Sequence, residues 1–251
     1  MTFSDELNGK TIVVDSPVAL TRDVNINGGS VDVTIDGNRA GSVFEIDIPS
    51  VVLGAPDVTL SNFTITGGLG TNGGAVNVLS GNVYFVNMTI FGNEATKYGG
   101  AVYAYDSELT FIDSRVGGNT ATYYGGIVNE FGKTVLTRSY VAENVGTNKN
   151  ATADVWGRAA VNYVNSKNNV VGSVADNVTL YDGVDGNRVG TKDEPLKPFL
   201  AASAGNLEVL PEFVVNSGAV LDEAFADMSD ALDLDVDLAV LDDSDDLFDV
   251  F

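Results

Sequence analysis

Few residue types in this 251-residue chain could carry acid–base chemistry. The chain contains no histidine and no cysteine, which removes the commonest general base and the thiolate nucleophile. Catalysis would have to rest on carboxylates, tyrosines, lysines or arginines. A glycosidase needs two carboxyl groups about 5 to 9.5 Å apart, but the acidic residues between positions 73 and 145 fall at different phases of the repeat described below. We therefore predict no catalytic residue.

A glycine-rich segment between residues 182 and 187 suggests a second kind of chemistry, cation binding. Asp182, Asp185 and Asn187 supply two carboxylates and an amide, and oxygen ligands on a flexible loop suit calcium. Their spacing differs from that of an EF-hand loop. The segment is therefore interpreted as a plain turn, with a calcium site as the alternative. No other cofactor is expected.

A third group of residues could contact a ligand or a partner. Residues 146–156 interrupt the sequence repeat, and the only tryptophan lies at their end. Trp156, Arg158 and Tyr163 could form a patch that stacks on a carbohydrate or contacts another protein. The alternative is that Trp156 packs the inserted loop back onto the body of the protein.

The elements that position these residues follow a 26-residue repeat. Its most regular members are three pairs of glycines and a series of asparagines in which the third copy comes one residue early. Self-similarity of this length indicates stacked repeats. The glycines are Gly73 and Gly74, Gly99 and Gly100, and Gly125 and Gly126, and the asparagines are Asn93, Asn119 and Asn144.

The short apolar runs within each repeat alternate with polar residues, which favours β-strands over helices. A 26-residue unit fits one coil of a parallel β-helix, with each coil about 4.8 Å from the next. We expect Phe85 to stack on Phe111 and Tyr98 on Tyr124, and we expect Val83, Leu109 and Val135 to share one core column.

The predicted architecture is all-β, with about seven or eight coils of roughly 26 residues. Residues 1–40 would form N-terminal capping strands and residues 41–210 the β-helix. Residues 211–251 would form an acidic C-terminal cap or linker made of a short helix and a strand. No apolar run is long enough for a transmembrane helix, so no direct membrane insertion is expected.

The net charge of −22 bears on the partners. Nucleic acid binding needs clustered lysines and arginines, whereas the 13 basic residues are scattered among 35 acidic ones. We exclude nucleic acid on this ground. The partners left open are neighbouring subunits, other surface proteins and glycans.

The runs Gly73–Val76 and Gly99–Val102 resemble the GGA(I/L/V) motif of polymorphic outer-membrane proteins and of adhesin-like β-helix surface proteins from bacteria and methanogenic archaea. The resemblance covers residues 7 to about 145. It implies a right-handed parallel β-helix, an extracellular or cell-surface location, and a structural or adhesive role in the cell envelope. It supplies no catalytic residue. The alternatives are a polysaccharide lyase or glycoside hydrolase of the β-helix type and a calcium-linked assembly module.

Overall fold

The computed structural model describes residues 1–48, 58–158, 165–191 and 193–196. The predicted acidic cap at 211–251 lies outside these residues. Within them the only helical element is a 3₁₀ turn at Asp5–Leu7, and every strand pairing is parallel. The chain forms a β-solenoid of about six turns, which confirms the predicted all-β parallel fold.

The solenoid contains 22 described strands. They are β1 (Lys10–Val13), β2 (Val18–Leu20), β3 (Val24–Asn27), β4 (Val33–Asp36), β5 (Phe44–Asp47), β6 (Val58–Ser61), β7 (Thr64–Thr66), β8 (Leu69–Asn72), β9 (Val76–Val86), β10 (Thr89–Phe91), β11 (Glu94–Tyr98), β12 (Val102–Tyr105), β13 (Ser107–Ile112), β14 (Arg115–Gly117), β15 (Thr120–Tyr123), β16 (Ile127–Glu130), β17 (Lys133–Thr137), β18 (Tyr140–Ala142), β19 (Val145–Gly146), β20 (Val155–Gly157), β21 (Val170–Val174) and β22 (Arg188–Thr191).

These strands stack in four columns. The first contains β1, β4, β7, β10, β14, β18, β21 and β22. The second contains β2, β5, the start of β9, β12, β16 and β20, and the third contains β3, β6, the end of β9, β13 and β17. A short fourth column is formed by β8, β11, β15 and β19.

The number of turns is lower than the seven or eight predicted. That prediction extended a constant 26-residue unit to residue 210, but the last described strand ends at Thr191. Some turns are also longer than the unit, since Thr34 pairs with Thr64 and Tyr140 with Val170. Insertions between strands therefore use up chain without adding a turn.

The core is a set of apolar ladders inside the columns. Leu60, Phe85, Phe111 and Leu136 are paired in sequence across β6, β9, β13 and β17, and all four are fully buried. The rings of Phe85 and Phe111 lie 4.4 Å apart at an interplanar angle of 6°, which confirms the predicted stack.

The repeat length itself needs a correction. Thr64 pairs with Thr89 and Arg115 with Tyr140, offsets of 25 residues. The register shifts within β11, between Ala95 and Tyr98, relative to both of its neighbours. The unit is therefore 25 residues, and one extra bulge residue in β11 gives the 26-residue spacing to any pair that spans it.

Three predictions fail for this reason. Leu109 pairs with Thr134 instead of Val135, which is only half-buried. Tyr98 stacks on Tyr123, with ring centroids 5.0 Å apart, instead of on Tyr124. The predicted equivalence of the glycine pairs also slips by one residue in the third copy, at Gly125.

The glycine pairs mark a corner where the backbone turns and neighbouring turns approach closely. Gly73 and Gly99 have φ of 60° and 63°, and the equivalent residue in the next turn is Tyr124, with φ of 56°. A Cβ at Gly74 would collide with the carbonyl oxygen of Gly100. Gly100 is thus equivalent to Gly125, and Gly126 occupies the alanine position of the earlier copies.

Candidate functional site

The predicted asparagine series forms a continuous buried ladder. The backbone N–H and the side-chain Nδ2 of Asn93 both donate to Oδ1 of Asn119, each at 3.0 Å. Asn119 donates in the same way to Oδ1 of Asn144, at 3.2 and 2.9 Å. Each amide thereby satisfies the N–H of the turn below at a corner where no strand can do so. This confirms the stacking of Asn93, Asn119 and Asn144.

The ladder ends on a carboxylate that the sequence repeat did not reveal. Asn144 donates to Oδ1 of Asp154 from its backbone N–H at 2.7 Å and from Nδ2 at 2.9 Å. The hydroxyl of Ser173 donates to Oδ2 of Asp154 at 2.9 Å. Asp154 is 3% exposed, and burial raises its pKa to about 6 although these hydrogen bonds favour the charged form.

The candidate calcium ligands are not brought onto one surface. Asn187 is buried, and its Oδ1 accepts hydrogen bonds from the backbone N–H and Nδ2 of Asn169, at 3.1 and 2.8 Å. Asp182 and Asp185 are exposed, and Oδ1 of Asp182 accepts from the N–H of Val189 at 2.8 Å. In the part of the chain that the structure describes, no group of three or more carboxylates could hold a metal ion.

Trp156 lies in β20, in the column whose previous strand contributes Val128. Its indole stacks on the ring of Tyr124, with centroids 5.2 Å apart and an interplanar angle of 18°. The N–H of Tyr124 also donates to the carbonyl of Ala151 in the inserted loop, at 2.8 Å. Trp156 therefore packs against the body of the solenoid and remains half-buried, with part of its surface in solvent.

Arg158, two residues further along, is exposed beside Trp156. Nη1 of Arg158 lies 3.4 Å from Oε2 of Glu130, and its guanidinium carbon lies 4.7 Å from the ring centroid of Phe131. These contacts hold the cation on the aromatic ring and the carboxylate of the previous turn. The third predicted member of the patch, Tyr163, lies outside the described residues.

Sequence reasoning missed most of the aromatic surface to which Trp156 belongs. The ring of Tyr98 lies 5.0 Å from that of Tyr123 and 6.3 Å from that of Tyr103, and Tyr124 follows directly in the chain. We call Tyr98, Tyr103, Tyr123, Tyr124 and Trp156 the aromatic strip. The tyrosines were visible in the repeat, but the bulge in β11 concealed which of them stack.

A groove lies at each end of the aromatic strip. The Trp156 groove is lined by Tyr124, Trp156 and the polar side chains of Asn150, Thr152, Asp176 and Asn177. The Asn77 groove is lined chiefly by Ser42, Glu45, Asn72 and Asn77. In the second groove the Oδ1 atoms of Asn72 and Asn77 are buried and accept no hydrogen bond.

Comparison with known proteins bears on the central turns. Residues 87–105 match the profile of the Chlamydia polymorphic membrane protein repeat. No curated protein and no solved structure gave a significant match. Among the described residues, no helix has the length and apolar character needed to cross a membrane. The matched residues run from the corner after β9, through the second rung of the asparagine ladder, to the end of β12, so the similarity covers one turn of the solenoid.

Proposed function

We propose that this chain is a non-catalytic module of a cell-surface protein, with an adhesive or structural role exerted through the side of its solenoid. The similarity of residues 87–105 to a repeat of polymorphic membrane proteins, an outer-membrane or surface family, supports the location. The parallel fold supports the mechanical part of the role, because each turn is hydrogen-bonded along its strands to the next.

The observation that carries the adhesive role is the aromatic strip. Five rings from successive turns contact one another on one face, and four of them, all except Tyr103, are only half-buried. Rigid aromatic side chains give large contact areas at a low cost in conformational entropy, and they are enriched in binding sites. Neighbouring subunits, other surface proteins and glycans are the partner classes that such a surface could contact.

The chemistry of this face supports a role in binding without turnover. The Trp156 groove has one described carboxylate, that of Asp176, and the Asn77 groove also has one, that of Glu45. A glycosidase needs an acid and a second carboxylate across a single cleft. The buried carboxylate of Asp154 is enclosed by Asn144 and Ser173 in the interior, where a polymer cannot reach it.

The experiment is an incubation of the chain with neutral and acidic polysaccharides and with isolated cell-surface fractions, with and without calcium. Binding is followed by co-sedimentation and turnover by release of new reducing ends or unsaturated products. We expect retention of the chain on at least one surface without any turnover. Turnover that disappears in Asp176→Asn or Glu45→Gln would refute the proposal. Binding that requires calcium would favour the calcium-linked assembly module.

A further inference from the structure

We propose that the aromatic strip and the two grooves at its ends bind one extended, uncharged oligosaccharide that lies parallel to the solenoid axis. This inference rests on the proposed function, because it assumes that the side of the solenoid is the contact surface. It adds the chemical class of the ligand, its direction and the residues that hold it.

The register of the second column places the parts of this site in a straight line. Glu45 pairs with Asn77, Asn77 with Tyr103, Tyr103 with Val128, and Val128 with Trp156. These five positions on consecutive turns span about 19 Å at about 4.8 Å per turn. The two grooves therefore lie at opposite ends of a track that is long enough for several sugar rings.

The chemistry of the track matches the two surfaces of a sugar. A pyranose ring offers an apolar C–H face, which packs on aromatic rings, and a rim of hydroxyl groups. Tyr98, Tyr123 and Trp156 supply partly exposed rings along the middle of the track. A large aromatic surface combined with a few polar groups that fix orientation is the usual composition of a ligand site.

The Asn77 groove lacks hydrogen-bond donors for its own buried acceptors. Oδ1 of Asn72 and Oδ1 of Asn77 are both shielded from solvent and accept no hydrogen bond. A buried acceptor left unpaired costs about 1–3 kcal/mol. A ligand that brings hydroxyl donors would remove this cost, and the hydroxyl rim of a sugar does so.

The charges along the track favour an uncharged ligand. Each groove contains a carboxylate, Glu45 in one and Asp176 in the other, and none of the described residues lining either groove is a lysine or an arginine. Arg158, the nearby cation, lies against Glu130 and the ring of Phe131. A uronic or sulfated chain would meet two uncompensated negative charges on a protein of net charge −22.

The test is a titration of the full chain with β-1,4-linked oligomers of glucose and of N-acetylglucosamine, from dimer to hexamer, followed by calorimetry. We expect binding to at least one of these series, with affinity rising by about tenfold or more from dimer to hexamer as successive turns are engaged. An oligogalacturonate series of the same lengths should bind more weakly than the best neutral series.

Three variants locate the site. Trp156→Ala and Asn77→Leu should each weaken hexamer binding by about tenfold, and Trp156→Phe should restore part of the loss because it keeps a ring. Tyr181→Ala is the matched control, since Tyr181 is 60% exposed and lies outside the track. Circular dichroism checks that each variant is folded.

Several outcomes would overturn the inference. Absence of binding to both neutral series, affinity independent of oligomer length, stronger binding of oligogalacturonate, or an equal loss in Tyr181→Ala would each do so. A chain that binds a protein in the cell-surface fractions through the strip, but no oligosaccharide, overturns the inference and leaves the proposed function standing. Cleavage of an oligomer would instead refute the proposed function.

Discussion

Asp154 shows at the residue scale how an insertion was accommodated without breaking the polar ladder. The ladder position after Asn144 would fall on Ser173 in the next turn, and Asp154 lies between the two, bonded to both. Its two carboxylate oxygens divide the donors, with Oδ1 facing Asn144 and Oδ2 facing Ser173. The carboxylate extends the ladder at the cost of a buried charge, since none of the hydrogen-bond partners in the structure is a cation.

This cost makes a prediction about pH. Burial raises the pKa of Asp154 from 3.8 to about 6, so the folded state binds the proton more tightly than the unfolded state. The free energy of unfolding must then fall as pH rises from about 4 to about 6, and the loss persists above pH 6. Replacing the carboxylate by a neutral amide removes it.

We therefore expect Asp154→Asn to stabilise the protein at pH 7 by on the order of 2 kcal/mol and to have little effect at pH 4. The amide oxygen can still accept from Asn144, which continues the asparagine ladder. Urea unfolding at the two pH values measures the difference. Asp193→Asn, at an exposed position, is the control and should be neutral at both. A destabilisation by Asp154→Asn at pH 7 would contradict this account.

At the scale of elements, the main feature is the bulge in β11. The neighbouring strands β8 and β15 pair with Ala95 and Tyr98 with one residue fewer between them. Thr96 and Lys97, within this bulge, are exposed. The extra residue is thus confined to the surface, and the buried columns on either side keep their register.

Deleting Lys97 should leave the fold intact, because it restores the 25-residue spacing found in the neighbouring turns. We expect a change in the midpoint of thermal unfolding of only a few degrees. Deleting Thr110 from the middle of β13 is the contrasting variant. It reverses the side chains of Phe111 and Ile112 between interior and exterior, and we expect no cooperative unfolding transition. Similar behaviour of the two deletions would mean that the bulge is misplaced.

The corrected register also separates two adjacent residues of β17. Leu136 is fully buried beneath Phe111, whereas Val135 pairs with Thr110 and is half-buried. Leu136→Ala should cost about 2 to 5 kcal/mol, because it leaves a cavity in the core ladder. Val135→Ala should cost less than half as much. Equilibrium unfolding in urea tests this, and a larger effect at Val135 would restore the register predicted from the sequence.

The sequence sufficed for the fold because side-chain types repeat wherever turns stack directly. Phe85 over Phe111 and the ladder from Asn93 to Asn144 follow from identity of residue type at a constant spacing. It did not suffice where the spacing changed by one residue, since Tyr98 could stack on Tyr123 or Tyr124. Trp156 and Arg158 were identified from the interruption of the repeat. Asp154 was missed, because it lies 10 residues after Asn144, within the insertion.

At the scale of the whole described solenoid, each turn contacts chiefly the turns before and after it. The strand pairings join neighbouring turns only, as in the series β7, β10, β14 and β18. Stability in such a stack is approximately the sum of turn energies and nearest-neighbour interfaces. A lateral binding face benefits from this arrangement, because residues distant in sequence are held in line by the same hydrogen bonds that fix the turns.

This arrangement predicts where a destabilising mutation is felt. Ile26, which is 6% exposed, belongs to β3 at the beginning of the stack, and Leu109, which is 1% exposed, belongs to β13 in its centre. Ile26→Ala should accelerate amide hydrogen exchange in β1 to β6 and leave β16 to β18 protected as in the unmodified chain. Leu109→Ala should accelerate exchange in β9, β13 and β17 and on both sides of them, since opening there removes interfaces in two directions. Exchange measured by mass spectrometry on peptides from each turn separates the two patterns. Uniform acceleration of all turns by Ile26→Ala would show instead that the solenoid opens as a single cooperative unit, and the aromatic strip could then be loosened only by unfolding the whole stack.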